Sequence, residues 1–271
     1  MQNNFERLLE EKSLLTCLVI TGLYILVATF FGKEVSKIAS DFTDILVAGT
    51  LVVLSIMIST RFRRAGHHGK AWLLFLGTAI SWFIAETTWT IYEFVYNLNP
   101  FPSYADGFYL AGYPFLFLFT IYYLKPFKKL ITKKLIVCAS LVAISVLIPN
   151  LYMTVNNNSD ENKFTIILGS IYPVGDAIVL VPAIIGIYLF FRGEVNFLWV
   201  LLFVGILFEV VGDTGFQYVT LNNSYYSGHP VDILFIWSYL LFLFGIYSHI
   251  KIFKKEGKTT KSSRLGNPQA N

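Results

Sequence analysis

The feature that constrains this chain most is a series of apolar stretches. Eight runs, at about 13–31, 43–60, 71–97, 104–124, 134–152, 164–191, 195–220 and 230–250, are long enough to cross a bilayer, since a helical crossing takes roughly 20 residues. Segments of this kind must satisfy their backbone groups internally, so helices are expected. Composition agrees, with 55% hydrophobic and only 14% charged residues, where a soluble domain carries about a quarter charged. The expected class is therefore all-α: an integral membrane protein of eight transmembrane helices. The first run is longer than the apolar core of a signal peptide. Its flank MQNNFERLLEEK is acidic as well as basic, so it is read as a first helix and not as a leader.

The basic residues set an orientation. Arg7 and Lys12 precede helix 1, Arg61, Arg63, Arg64 and Lys70 join helices 2 and 3, and Lys125, Lys128, Lys129, Lys133 and Lys134 join helices 4 and 5. Arg192 lies between helices 6 and 7, and Lys251 to Arg264 follow helix 8. With eight crossings all of these fall on one side, and only Lys33, Lys37 and Lys163 fall on the other. The positive-inside rule then places both termini in the cytoplasm of a plasma-membrane protein. The net charge of +4 gathers at helix ends and not over a soluble face, so no nucleic-acid partner is expected. The tail KKEGKTTKSSRLGNPQAN is expected to be disordered and to rest on anionic headgroups or dock a partner. Cys17 and Cys138 make neither a disulfide scaffold nor a zinc site.

An internal repeat is also expected. When AWLLFLGTAISWFIAETTW is laid on LWVLLFVGILFEVVGDTGF, Trp72 meets Trp199 and Glu86-Thr87 meets Asp213-Thr214. Downstream, with a one-residue gap, Asp106 meets Asp232, Tyr113 meets Tyr239 and Lys125 meets Lys251; upstream, with further gaps, Asp44 meets Asp176. A four-helix unit has an even number of crossings, so the two halves would run the same way about an axis along the membrane normal. The expected division is a flank at 1–12, a first half at 13–128, a second half at 129–250 and a basic tail at 251–271.

The spans carry carboxylates with no lysine or arginine at their depth. Glu86 lies 16 residues after Lys70, roughly 24 Å from the cytoplasmic face at the helical rise. Asp44, Asp106, Asp176, Asp213 and Asp232 fall at a similar outer level by the same measure. Glu86 and Glu93 share a helix face with Trp89 between them, and Glu209 shares a face with Asp213. Asp44, Asp106 and Asp232 suit helix N-termini, where the helix dipole favours negative charge. Glu86, Asp176 and Asp213 lie deeper, where ionisable groups face a bundle interior or wet cavity and mark function. Glu86, Trp89, Glu93, Asp106, Asp176, Asp213, Asp232 and Asp44 form the candidate ligand site. The carboxylates beside the Trp89 indole suit an organic cation, by charge and by cation–π attraction. Most of the other aromatic residues at this level are expected to form an interfacial belt.

Other chemistries find less support. VGD occurs at Val174-Gly175-Asp176 and at Val211-Gly212-Asp213, resembling the GxGD element of intramembrane aspartyl proteases, whose paired carboxylates share a proton to activate water. The first glycine of that element is absent, with Pro173 and Val210 in its place. The four histidines are scattered over both sides, so no metal site is expected, and nothing in the sequence asks for a cofactor.

The segment WTIYEFVYNLNPFPSYADGFYLAGYPFLFL carries a further pattern, in Trp89, Glu93, Pro102, Ser103, Ala105, Asp106, Tyr109, Leu110, Tyr113 and Pro114. It resembles the multi-helix membrane input region that precedes GGDEF and EAL domains in some bacterial signalling proteins. There, a W-x-x-Y/L-E helix is followed by P-S-x-A-D-x-x-Y-L-x-x-Y-P. The resemblance implies a sensory role, with a signal it does not specify. No such output domain follows Lys255 in this sequence, so a sensor of this kind is expected to act through a cytoplasmic or membrane partner. The expected function is a receptor-like or accessory module that binds a small ligand or cation. A proton- or cation-coupled transporter using the same acids is the alternative, and a protease-like enzyme the third.

Overall fold

The computed structural model describes residues 4–157, 163–191 and 197–265. Among these, eight α-helices and one short 3-10 helix account for the regular structure: α1 Asn4–Phe30, α2 Lys33–Phe62, α3 Gly66–Phe94, α4 Tyr104–Leu124, the 3-10 turn Lys125–Leu130, α5 Lys133–Asn157, α6 Lys163–Phe190, α7 Phe197–Leu221 and α8 Asp232–Leu265. Each α-helix contains a window long and apolar enough to cross a membrane. Pro114, Pro149, Pro173 and Pro182 are held inside helices, as neighbouring helices in a bundle permit.

Two boundaries differ from the sequence expectation. Helix α2 begins at Lys33, ten residues before the apolar run, because Gly32 at φ 103° ends the preceding chain segment and Lys33–Phe42 is amphipathic enough to continue the helix. Asp44 is therefore well inside α2 and not at its N-terminus, which corrects that expectation. The basic tail expected to be disordered continues α8 as helix as far as Leu265. Arg192 and residues 266–271 lie outside the described residues.

Consecutive helices pack as neighbours within α1–α4 and within α5–α8, and the two sets join through α2 on α8 and α4 on α6. Helices α1 and α5 lie at the periphery, α1 against α2 and α8, α5 against α6 and α7. The interior toward the basic end is aromatic. Trp72, Phe75, Phe119, Tyr123, Phe203 and Phe242 are almost fully buried. The Phe75 and Phe119 ring centroids lie 4.9 Å apart, those of Phe75 and Phe242 5.3 Å, and those of Trp72 and Phe119 5.7 Å, at the tilted or edge-to-face angles that aromatic quadrupoles favour. Glycine makes this packing feasible: a Cβ on Gly205 would sit 2.7 Å from the Phe242 ring. Outward-facing positions carry large apolar side chains, among them Leu15, Leu46, Leu73, Leu141, Ile148 and Ile167. Their exposure is what a lipid-facing surface requires.

Polar ties fix the two ends of the bundle. At the basic end, Arg61 donates to the Ile250 carbonyl at 3.0 Å, Ser59 donates to the Trp72 carbonyl at 2.8 Å, and the Tyr123 hydroxyl meets His249 Nε2 at 2.8 Å. At the opposite end the loop between α7 and α8 folds onto α2. Ser36 Oγ donates to the Gly228 carbonyl at 2.5 Å, and Gly228 adopts φ +84° in a space that a Cβ would fill with the Ser36 backbone. Only glycine meets both demands there.

Candidate functional site

A cavity of about 370 Å³ opens at the end of the bundle opposite the basic loops, within the size range of small-molecule sites. Its wall includes seven carboxylates: Asp41 and Asp44 on α2, Glu86 on α3, Asp106 on α4, Glu209 and Asp213 on α7, and Asp232 on α8. None of the described residues lining it is a lysine or arginine. On α3 the lining reaches down to Trp82 and no further, where the aromatic interior begins.

Tyrosine hydroxyls are the principal partners of these acids. Tyr113 on α4 sets its hydroxyl between Asp213, at 2.5 Å, and Asp176, at 2.7 Å, with one proton to donate to either. Tyr239 on α8 donates to Glu86 at 2.7 Å. Tyr172 on α6 donates to Asp106 at 2.7 Å. Tyr113 and Tyr239 are buried and Tyr172 is half-buried inside the bundle, so these three stand apart from the interfacial belt expected for most aromatic residues at this level. In the loop before α8, burial and the nearby Asp232 carboxylate hold the Tyr225 hydroxyl well above its ordinary pKa. It therefore stays protonated and points at Asp232 Oδ2 from 3.5 Å.

Asp106 and Asp232 both act at helix starts. Asp106 completes a capping box with Ser103, accepting from the Ser103 backbone N–H at 2.6 Å. Asp232 accepts from the Gly228 N–H at 2.7 Å. Each also lines the cavity, so the cap and the cavity wall share one carboxylate.

Trp89 lines the cavity, and its indole N–H donates to Ser227 Oγ at 3.1 Å. The same hydroxyl donates to Glu93 at 2.6 Å, so Glu93 is drawn to the α7–α8 loop and lies outside the lining. Asp176 also lies outside it, behind Tyr113. Of the eight acids and aromatics singled out from sequence, Asp44, Glu86, Trp89, Asp106, Asp213 and Asp232 meet in one cavity, and Glu93 and Asp176 stand one hydrogen bond behind it.

Several carboxylate oxygens have no partner. Asp41 Oδ2, Asp44 Oδ1, Glu209 Oε2 and Asp232 Oδ1 are buried without a hydrogen bond, and all four residues line the cavity. Unsatisfied buried acceptors are uncommon and ask for an explanation. Asp41 and Glu209 were not among the candidate site residues. Asp41 is three residues from Asp44 and shares its face once α2 is known to start at Lys33. The opposite side of the cavity is neutral. Thr154, Thr165, Gln217 and Thr220 line it, and Asn150 behind them donates to Thr214 at 3.2 Å while Gln217 donates to Thr154 and to the Asn150 carbonyl.

The two VGD aspartates do come together, since Asp176 and Asp213 share the Tyr113 hydroxyl. The facing oxygens are thus engaged by a phenol, and only Asp213 reaches the cavity. Among the described residues, no group of three or more histidines, cysteines or acids converges closely enough to hold a metal ion.

Searches against protein-family models, characterised proteins and solved structures find no match to this chain.

Proposed function

We propose that this chain is a multi-pass membrane protein, with both ends of the chain in the cytoplasm, that recognises a small organic cation from outside through the acidic and aromatic cavity. One observation carries the reading: seven carboxylates and the Trp89 indole face a common space that no lysine or arginine among the described residues lines, the nearby Lys37 being paired with Glu34 at 2.9 Å. An alkylammonium group supplies the missing charge and N–H donors, and aromatic faces hold its apolar part. The eight apolar helices and their outward-facing leucines and isoleucines support a bilayer setting. The basic loops lie at the end away from the cavity, which supports an outward-facing site.

A tandem repeat of two four-helix halves fits the contacts. Exchanging halves turns the α2–α8 contact into the α6–α4 contact. The same exchange turns the Tyr239–Glu86 bond into the Tyr113–Asp213 bond. The Thr78 hydroxyl points to the Gly112 carbonyl and Ser238 to the Gly205 carbonyl, a matched pair under the same alignment.

The role we assign is receptor-like or accessory, acting through a cytoplasmic or membrane partner, as the resemblance to bacterial input regions implies. Residues carrying that resemblance build the site: Trp89, Asp106, Tyr109 and Tyr113 line the cavity, and Glu93 backs it. Transport draws less support, because the cavity stops at Trp82 above a closely packed aromatic interior. The test is a thermal-shift series in detergent with primary and quaternary alkylammonium ions, run on the wild type and on Glu86→Gln. Stabilisation of the wild type alone is the expected result. No stabilisation by any cation, or equal stabilisation of the variant, refutes the reading.

A further inference from the structure

Taking the cation site as read above, we infer that its ligand is a dication: an aliphatic amine with two ammonium groups separated by an apolar linker.

The cavity contains two acidic stations, built by reciprocal contacts. At the first, Glu86 accepts from Tyr239, and Asp44 lines the same cavity. At the second, Asp213 accepts from Tyr113, with Glu209 one helical turn away on the same face of α7. Each station has unfilled acceptor capacity of its own. Asp41, Asp44 and Asp232 leave oxygens without partners at the first, and Glu209 leaves one at the second. All four residues are at least nine-tenths buried, and all line the cavity.

A single ammonium group has three N–H donors radiating from one atom, which suits one station and leaves the other unanswered. A bare metal ion is a poor fit, since no group of three or more described ligand-type side chains converges on one point. The first acceptor set hangs from α2, α3 and α8 and the second from α7, each with its own tyrosine donor, and a ligand with two ammonium groups can answer both. Its methylene linker would lie against the aromatic rings of the wall, chiefly Tyr109 and Phe235, which occupy matching positions in the two halves.

The experiment compares 1,4-diaminobutane, 1,6-diaminohexane and butylamine by isothermal titration on the full chain in detergent or nanodiscs. At least one diamine is expected to bind at least about tenfold more tightly than butylamine. Glu86→Gln and Asp213→Asn should each reduce that diamine to the affinity of the monoamine. Asp44→Asn and Glu209→Gln remove one charge per station without touching a tyrosine bond, and they serve if the first pair fails to fold. Equal affinity for the diamines and butylamine overturns the dication inference while leaving the organic-cation site standing. Absence of binding by all three amines overturns both.

Discussion

The two ends of the bundle interior solve the problem of buried polarity in opposite ways. Toward the basic loops, polar groups are few and, apart from the buried Ser55 hydroxyl, paired: Tyr123 with His249, Ser59 with the Trp72 carbonyl, Arg61 with the Ile250 carbonyl. Between them lie tightly packed rings of Trp72, Phe75, Phe119 and Phe242. Toward the other end, carboxylates outnumber their partners, five of them retain an orphan oxygen (four in the cavity wall and Glu93 behind it), and a cavity of about 370 Å³ takes the place of packing. The first region is arranged for stability. The second keeps groups that a folded chain alone has no reason to keep, which is the pattern of a site that gives up stability for function.

This contrast predicts opposite responses to substitution. The largest effect should come from Trp72→Ala, which empties the centre of the aromatic region. Loss of a buried Trp costs about 3–5 kcal/mol, and a lowered unfolding midpoint with cation binding retained in the surviving folded fraction is the expected outcome. Tyr239→Phe and Tyr113→Phe come next. Each removes a hydroxyl bonded to a carboxylate inside the bundle, at a cost of about 1–3 kcal/mol. Tyr113→Phe should cost the more of the two, because its hydroxyl meets both Asp213 and Asp176 while that of Tyr239 donates to Glu86. A larger loss from Tyr239→Phe would count against this assignment of partners. Tyr123→Phe removes one bond to His249 in the well-paired region and should cost about 1 kcal/mol in denaturant or thermal unfolding. The smallest effect should have the reverse sign. Asp44→Asn replaces a buried carboxylate, one of whose oxygens is unsatisfied, with a neutral amide, and should leave stability unchanged or raise it by up to about 1 kcal/mol in the absence of ligand. A clear loss of stability there would mean that Asp44 is structural.

The sequence showed the helices plainly because lipid-spanning segments are long, and the 104–124 run coincides with α4. It showed the level of the acids because helical rise converts sequence distance from a basic loop into depth. It did not show the partners. The bond from Tyr113 to Asp176 spans 63 residues and the one from Tyr239 to Glu86 spans 153, and no local pattern announces either. Asp41 was hidden by a boundary. With α2 assumed to start near 43, its amphipathic first turns were counted as loop and the i, i+3 relation to Asp44 had no meaning. The 3.6-residue period placed Glu86, Trp89 and Glu93 on one face. It could not tell that Ser227 would draw Glu93 out of the cavity.

An acidic cavity that is open to the outside and holds a cation should be reachable from there and shielded by its ligand. This is tested most directly by placing a cysteine at Gln217, which lines the cavity, in a chain with Cys17 and Cys138 replaced by serine and Asn156→Cys as a separate external control. A membrane-impermeant maleimide applied to intact cells should label both positions, and 1,4-diaminobutane or butylamine should slow labelling at 217 while leaving 156 unaffected. Labelling of either position only after lysis would contradict the orientation. Labelling at 217 that neither amine slows would contradict the cation site itself.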